Sequence, residues 1–393
     1  MLSPSSMSRI GTIDERYQSY NVEMLEVTGG KFWKPYAAAV RSSAVHQQPP
    51  ATSASGDTPA GMNPDAYAYR PPIDLRNARR RKLAAALGPA YVRVSGTWAN
   101  TSYFADSNQP PTTPPAGFGG VLSHQQWKGV VDFANAVNAR IVTSFATCPG
   151  ARDSSGVWTP DQARRFLTYT NSIGGNIAAA EFMNEPTMAI MGGAPAGYDA
   201  VAYGRDFKVF HAFIKRAAPG LLILGPGSVG ETDGDWSVTY GIAGMIKTSD
   251  MLAACGPARV DAFSYHHYGA SSQRCAGMGM GGTTAGAALS EEWLARTDQT
   301  LSFYRRLRDQ YEPGKPMWVT ETADAACGGN PWSSTFLDTF RYLDQLGRLA
   351  KQGVQIVMHN TLDASDYGLL DENTLEPRPN YWAALLWRKF MGT

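Results

Sequence analysis

Glu181-Phe182-Met183-Asn184-Glu185-Pro186 and Met317-Trp318-Val319-Thr320-Glu321-Thr322 hold the strongest clue to the architecture of this chain. Each is a run of strand-forming residues that ends in a glutamate just ahead of helix-type sequence. Two glutamates so far apart in the chain meet across one cleft if both sit at the C-terminal ends of parallel barrel strands. Around them, apolar β-rich runs alternate with helical periodicity, the pattern of a parallel α/β protein and not of a sandwich. Eight strand runs are legible: Tyr20 to Val27, Ala90 to Ser95, Arg140 to Phe145, Ala178 to Met183, Leu221 to Gly225, Val260 to His266, Pro316 to Thr320 and Val354 to His359. Helical periodicity follows most of them, at Asp74 to Leu87, Ser123 to Val137, Asp161 to Ser172, Tyr203 to Ala217, Glu291 to Tyr311, Thr335 to Lys351 and Asn380 to Phe390. Strand–helix units in this number, closing on a helix, predict a (β/α)8 TIM barrel. An open doubly wound sheet is the runner-up, but it would not bring the fourth and seventh strands to one mouth.

The organisation expected is an N-terminal segment, residues 1–16, followed by a barrel over residues 17–393. Ala37 to Pro72 breaks the rhythm; rich in Ala, Ser, Pro and Gly, it reads as a long mobile insertion after the first strand. The proline-rich stretch Asp106 to Gly120 is expected to border the cleft mouth. The basic run Arg79-Arg80-Arg81-Lys82 lies in a helix ahead of the second strand and reads as a solvated outer face. Gly277-Met278-Gly279-Met280-Gly281-Gly282 matches the dinucleotide-binding fingerprint formally. It follows a late strand and has a long spacer before the next helix, so it reads as a flexible loop and no cofactor is expected.

With 393 residues, 43% of them hydrophobic, the chain supplies the core of one large barrel. Its 35 basic and 34 acidic residues make no field that would gather nucleic acid, so an acidic ligand has to be recognised locally. No apolar run approaches the roughly 20 residues of a membrane span. Residues 1–11 lack the basic start and apolar centre of a secretory signal, which makes the cytoplasm the default address and leaves secretion open. The four cysteines, Cys148, Cys255, Cys275 and Cys327, make no disulfide scaffold and fit no zinc signature. Nothing in the pattern fixes an oligomeric state.

A pair of strand-end glutamates is what a retaining glycosidase requires: one carboxyl protonates the leaving oxygen while the other attacks the anomeric carbon from the opposite face. Glu185 is expected to be the acid, its pKa raised by desolvation and a neighbouring negative charge, and Glu321 the nucleophile. Asn184 is placed to donate to the sugar hydroxyl beside the reacting carbon. The sixth strand ends in Ser264-Tyr265-His266-His267-Tyr268. Strand alternation puts His266 and Tyr268 on one face and His267 on the other, so the adjacent histidines do not clasp a metal and no metal site is expected. His266 and Tyr268 read as hydrogen-bond partners of the nucleophile.

The run from Glu321 through Thr322-Ala323-Asp324-Ala325-Ala326-Cys327-Gly328-Gly329-Asn330-Pro331, followed by Ser334-Thr335-Phe336 and Leu343-Asp344-Gln345-Leu346-Gly347, resembles the nucleophile region of glycoside hydrolase family 79, the heparanases and β-glucuronidases. The likeness continues through Tyr367-Gly368-Leu369-Leu370-Asp371-Glu372-Asn373, Tyr381-Trp382 and Lys389-Phe390-Met391-Gly392-Thr393, and includes Val94-Ser95-Gly96-Thr97 and Tyr265-His266-His267-Tyr268. It implies a clan A barrel cleaving β-linked glucuronic acid with retention, Glu185 as acid/base and Glu321 as nucleophile. It also implies that Gly328, Gly329 and Tyr367 hold the sugar carboxylate, in the manner of an anion nest that needs no lysine. Asn360 and Asn100 stand where the family puts other substrate-contacting polar residues.

Three departures qualify the resemblance. The basic clusters with which heparanases grip sulfated chains have no counterpart; Gly230-Glu231-Thr232-Asp233-Gly234-Asp235 is acidic instead. The family's C-terminal β-sandwich domain is expected to be lacking, with Ile10 to Arg16 as its orphaned strand. Cys275 and Cys327 fall in loops after strands six and seven, where a bridge and two free thiols are both open readings. The expected substrate is thus a glycan or conjugate bearing glucuronic acid. The alternatives are a clan A glycosidase for a neutral β-glycoside and a catalytically impaired carbohydrate-binding barrel.

Overall fold

The computed structural model describes residues 8, 10–36, 59, 62–234, 236–237, 242, 244–278 and 282–391. Strands β1 (Gln18–Glu23), β2 (Ala90–Ser95), β3 (Ala139–Ser144), β4 (Ile177–Glu181), β5 (Leu222–Ser228), β6 (Ala262–Tyr268), β7 (Met317–Ala323) and β8 (Ile356–His359) pair in parallel in chain order. β8 returns to β1 with Ser19 opposite Met358, so the sheet closes and exposes no edge. Helices α1 (Ala78–Ala86), α2 (His124–Ala136), α3 (Asp161–Ser172), α4 (Ala200–Ala217), α5 (Thr248–Cys255), α6 (Arg296–Tyr311), α7 (Phe336–Lys351) and α8 (Pro379–Phe390) each follow the strand of the same number. None of the described helices is long and apolar enough to cross a membrane.

Most strand residues are buried on both faces, which is why the runs read as nearly continuous apolar sequence. The barrel interior is plugged by Tyr91, Val142, Leu224, Trp318 and Ile356, with the Tyr91 and Trp318 rings 5.0 Å apart. A larger core fills the layer between strands and helices; in it Trp127 of α2 donates its indole N–H to Thr170 of α3 at 2.8 Å. Helix α2 starts where Ser123 and Gln126 form a reciprocal capping box. With the N-terminal end plugged, the polar inward side chains gather at the C-terminal mouth.

Several elements differ from the sequence reading, each for a local reason. β1 stops at Glu23 because Glu26 folds back to accept the Glu23 N–H at 2.8 Å, starting a short helix over Met24–Thr28. Of the expected insertion, residues 37–58 and 60–61 lie outside the described residues. Its end is ordered structure: Tyr67–Arg70 pairs antiparallel with Gly30–Trp33, and the Trp33 and Tyr67 rings stack at 4.5 Å. The basic run on α1 is not simply a solvated face, since Arg80 turns inward to pair with buried Asp363 and donate to the Asp74 carbonyl. The Asp106 to Gly120 stretch contributes nothing to the lining of the central cavity; Phe118 packs on Gly150 instead. Glu291 to Tyr311 breaks at Ala295 into two helices, and α5 escaped notice because it is short. Part of the glycine-rich run lies outside the described residues, at 279–281; the turn before it, Gln273–Met278, is a 3-10 helix. The described residues 10–16 form no strand.

Cys275 and Cys327 are joined in a disulfide that ties the loop after β6 to the loop after β7, whereas Cys148 and Cys255 are buried thiols. Thiol titration in denaturant is therefore expected to count two groups per chain before reduction and four after it; four before reduction would contradict the bridge.

Candidate active site

Glu321 reaches the barrel mouth through an irregularity in β7. Tyr265 pairs with Val319, but the next residue, His266, pairs with Glu321, so Thr320 is an extra residue. Strict alternation from Trp318 would send Glu321 outward to the helices; the bulge turns it inward, a common use of bulges beside functional sites. A matching shift in β5 leaves Gly227 as the extra residue, at φ 73°. A Cβ there would stand 2.9 Å from the Glu181 carboxylate, so only glycine leaves room for it.

The partner glutamate lies beyond the end of β4. Glu185 sits in the left-handed region, φ 48° and ψ 61°, as the cap of a 3-10 turn over Pro186–Met188. That conformation costs a non-glycine residue about 1–3 kcal/mol and is tolerated where the surroundings dictate it. They do here, because the Asn100 side chain accepts the Asn184 N–H at 2.8 Å and donates to the Asn184 carbonyl at 2.9 Å. An oxygen of Glu185 and one of Glu321 lie within 4.8 Å of each other, with a ring nitrogen of His266 between them in the same cluster.

Beneath this pair lies a residue that sequence reasoning missed. Arg93 of β2 is fully buried and donates to Glu181 Oε2 at 2.9 Å, Glu321 Oε2 at 2.9 Å and Asn184 Oδ1 at 2.7 Å. Glu181, also fully buried, takes the hydroxyls of Ser264 and Thr320 at 2.7 Å each. Burial by itself would raise the Glu181 pKa, but Arg93, His266 and those two hydroxyls outweigh it and hold the carboxylate below its usual range. Burial pushes Glu185 up to about 7, against the pull of the Arg93 charge. Burial first, and the charge of Glu321 second, push Glu23 well above the usual carboxylate range. Glu23, at the end of β1, packs against Gly96, where a Cβ would collide with its carboxyl.

His266 is driven down to about 4 by burial and is neutral at physiological pH. Its Nε2 lies 3.2 Å from an Arg93 N–H, which can only donate, so Nε2 accepts and Nδ1 carries the hydrogen. Nδ1 then donates to Glu185 Oε1 at 3.0 Å; the Glu321 oxygen is farther away, at 3.7 Å. The sequence reading made His266 a partner of the nucleophile, and the structure places it first against Glu185. Tyr268 does donate to Glu321 Oε1. Asn360 adds N–H contacts to Glu321 at 3.4 Å, Glu23 at 3.2 Å and the Tyr268 and Tyr367 hydroxyls at 3.1 Å. His267 points away and meets Thr300 at 3.0 Å.

The cavity over these groups is lined by Glu23, Asn184, Glu185, Tyr268, Glu321, Asn360 and Tyr367, among others. Asn100 lies behind Asn184 and orients it, so it is not a wall of the cavity. Gly328 and Gly329, at φ 80° and 84°, are likewise not in the lining but adjoin Cys327, which is. Glu185, His266 and Glu321 have the spacing of metal ligands. Both Glu321 oxygens are engaged, by Arg93 and Tyr268, and the His266 nitrogens face Arg93 and Glu185, so the positive charge beside this cluster is the guanidinium. Arg93 and Glu181 carried one signal in sequence: a charge inside a strand otherwise buried on both faces.

A closed barrel with facing glutamates just after strand four and near the end of strand seven is the architecture of a glycoside hydrolase. The chain belongs to glycoside hydrolase family 79: the description "Glycosyl hydrolase family 79, N-terminal domain" matches residues 74–347. It is 26% identical over 340 residues to heparanase-like protein 1 of Arabidopsis thaliana, covering 81% of this chain and 59% of that one. It is 26% identical over 362 residues to the heparanase of Mus musculus, covering 81% and 64% respectively. The chain thus spans about three fifths of the length of these relatives. A solved 4-O-α-L-rhamnosyl-β-D-glucuronidase from Fusarium oxysporum 12S superposes with a TM-score of 0.57 at 15% identity, over 96% of this chain and 69% of that one, a likeness of fold.

Replacing Arg93 with methionine strands two buried carboxylates and is expected to lower stability by about 3–5 kcal/mol in urea unfolding. A variant as stable as the parent would contradict the role given to this charge.

Proposed function

We propose that the chain is a retaining glycosidase that removes β-linked glucuronic acid, with Glu185 as acid/base and Glu321 as nucleophile. The observation that carries this reading is the approach of the two carboxyl groups to within 4.8 Å. Retaining enzymes keep theirs about 5–5.5 Å apart, whereas inverting ones need about 6.5–9.5 Å to admit a water. The unequal surroundings assign the roles. Glu321 is fixed by Arg93 on Oε2 and by Tyr268 and Asn360 on Oε1, which orient the carboxylate and balance its charge. Glu185, raised to about 7, keeps a proton to give, and the His266 N–H on Oε1 leaves Oε2 to carry it. Once the leaving group departs, the same carboxylate takes a proton from the incoming water.

A uronic acid suits the electrostatics of this pocket. Of the three glutamates that line it, Glu23 and Glu185 are both biased toward the neutral form, so the sugar carboxylate does not meet three negative charges. On this reading the loop after β7 receives the sugar carboxylate. The Cys327 and Gly329 carbonyls are taken by Arg274, and the Gly328 carbonyl by the Ser365 hydroxyl and the Asp366 N–H. Because each peptide is planar and trans, the Gly328 and Gly329 N–H groups point away from the partners of the Cys327 and Gly328 carbonyls. Asn184 gives its Oδ1 to Arg93, which leaves its NH2 to meet a sugar hydroxyl.

On an aryl β-glucuronide, Glu321→Gln is expected to abolish turnover while binding persists. Glu185→Ala is expected to lose about 10²–10⁴-fold on poor leaving groups and much less on p-nitrophenol. Equal, partial losses from both changes would sink the assignment of roles. Turnover of the β-glucoside in place of the glucuronide would point to a neutral sugar, and turnover of neither to a binding barrel.

The pH profile carries a separate expectation. The acid must be protonated, so kcat/KM should fall as pH rises through about 7, the value to which burial brings Glu185. That limb should vanish in Glu185→Ala acting on an activated substrate; its survival would assign the limb to another group.

A further inference from the structure

Arg274 stands in the loop after β6, one residue ahead of the bridged Cys275, and is no part of the cavity lining. Its side chain is 5% exposed, and the Tyr36 ring lies against the guanidinium, 3.8 Å from it. An arginine offers five N–H groups in a fixed planar fork. Here all five are spent. Nε and Nη2 reach the Lys34 carbonyl at 3.0 and 2.6 Å, Nη1 reaches the carbonyls of Cys327 and Gly329 at 3.2 and 2.8 Å, and Nη2 also pairs with the Asp366 carboxylate. Those acceptors belong to the loops after β1, β7 and β8. One side chain thus joins four loops at the barrel mouth, and none of its hydrogens is left for a ligand.

What this clamp does follows from peptide geometry. The Cys327 carbonyl, which also takes the Ser272 hydroxyl at 2.8 Å, shares a plane with the Gly328 N–H, and across a trans peptide the two point in opposite directions. Drawing the carbonyl to Arg274 and Ser272 therefore fixes the aim of that N–H. Gly328 is buried, and its N–H meets no acceptor among the described residues. A buried amide N–H left without a partner is rare, and Cys327, at the other end of this peptide, lines the cavity. Nor does position 328 accept a side chain, since at φ 80° a Cβ would stand 2.6 Å from that of Trp33. None of the described residues lining the cavity is a lysine, arginine or histidine, and three of them are glutamates. An anion entering it is met by an oriented peptide dipole whose carbonyl end rests on a guanidinium. An uncharged group of the same size gains far less from that dipole.

We propose, resting on the glucuronidase reading above, that Arg274 is a positioning residue that sets the preference for a uronate over an uncharged sugar. Without touching the substrate, it holds the Cys327–Gly328 peptide with its N–H presented to the sugar carboxylate.

The test measures kcat and KM for the full chain and its Arg274→Met and Arg274→Lys variants on two substrates of one size, p-nitrophenyl β-glucuronide and the uncharged p-nitrophenyl β-glucuronamide. The parent is expected to prefer the acid by at least about tenfold in kcat/KM, the worth of one hydrogen bond to a charged group. Arg274→Met should raise KM for the acid about ten- to thirtyfold, leave kcat within about threefold, and move KM for the amide by less than about threefold, so that the preference collapses. Arg274→Lys keeps the charge but not the planar fork and should fall between the two. Equal losses on both substrates, a loss confined to kcat, or a parent that cleaves acid and amide alike overturns the proposal. If Arg274→Met does not fold, Arg274→Lys decides: a lowered acid-to-amide ratio supports the role and an unchanged one removes it. Cleavage of no glucuronide by the parent chain is a different failure, which takes away the glucuronidase reading and this proposal with it.

Discussion

The buried charge of Arg93 is the constraint on which the site depends. Taking a guanidinium out of water costs several kcal/mol, and only close, well-aimed partners offset it. Here they are two carboxylates, an amide oxygen and an imidazole nitrogen, supplied by β4, β6, β7 and the turn after β4. The interaction that closes the mouth of the barrel is thus the one that aims the chemistry. It fixes Glu321 by an ion pair, turns the Asn184 amide toward the cavity, and sets the tautomer of His266, through which it reaches Glu185.

From that asymmetry the two glutamates acquire different characters despite their proximity. Glu321 is held in direct contact with a cation, a phenol and an amide, whereas Glu185 has one neutral imidazole donor and a desolvating surround. Environment, not residue type, separates a fixed carboxylate from a carboxylic acid near neutrality. The Cys275–Cys327 bridge and the Arg274 clamp fasten the loops after β6 and β7 to each other.

Much of the barrel was legible because each strand is a short, doubly buried run followed by a helix, and that pattern survives without knowledge of neighbours. The two glutamates were legible for the same reason, since they punctuate strand ends. Features that depend on register were not legible. The bulge at Thr320, which turns Glu321 inward, is invisible to alternation, and alternation alone would have faced it outward. Asn100 was expected to contact substrate because it stands where the resembled family puts such residues; its clasp on Asn184 places it one layer behind. Arg80 looked solvated within a basic run because its partner, Asp363, is distant in sequence. Arg93 was passed over as one charge in a β-rich run, although a charge inside a strand buried on both faces is a signal in itself.

The central claim is that Glu321 attacks the anomeric carbon of a bound glucuronide while Glu185 stands opposite as the acid. Its most direct test is to treat the chain with a 2-deoxy-2-fluoro-β-glucuronide bearing an activated leaving group, then digest it and locate the modified peptide by mass spectrometry. The account predicts a single covalent label on the peptide containing Glu321. A label on Glu185, or on any other residue, would contradict it.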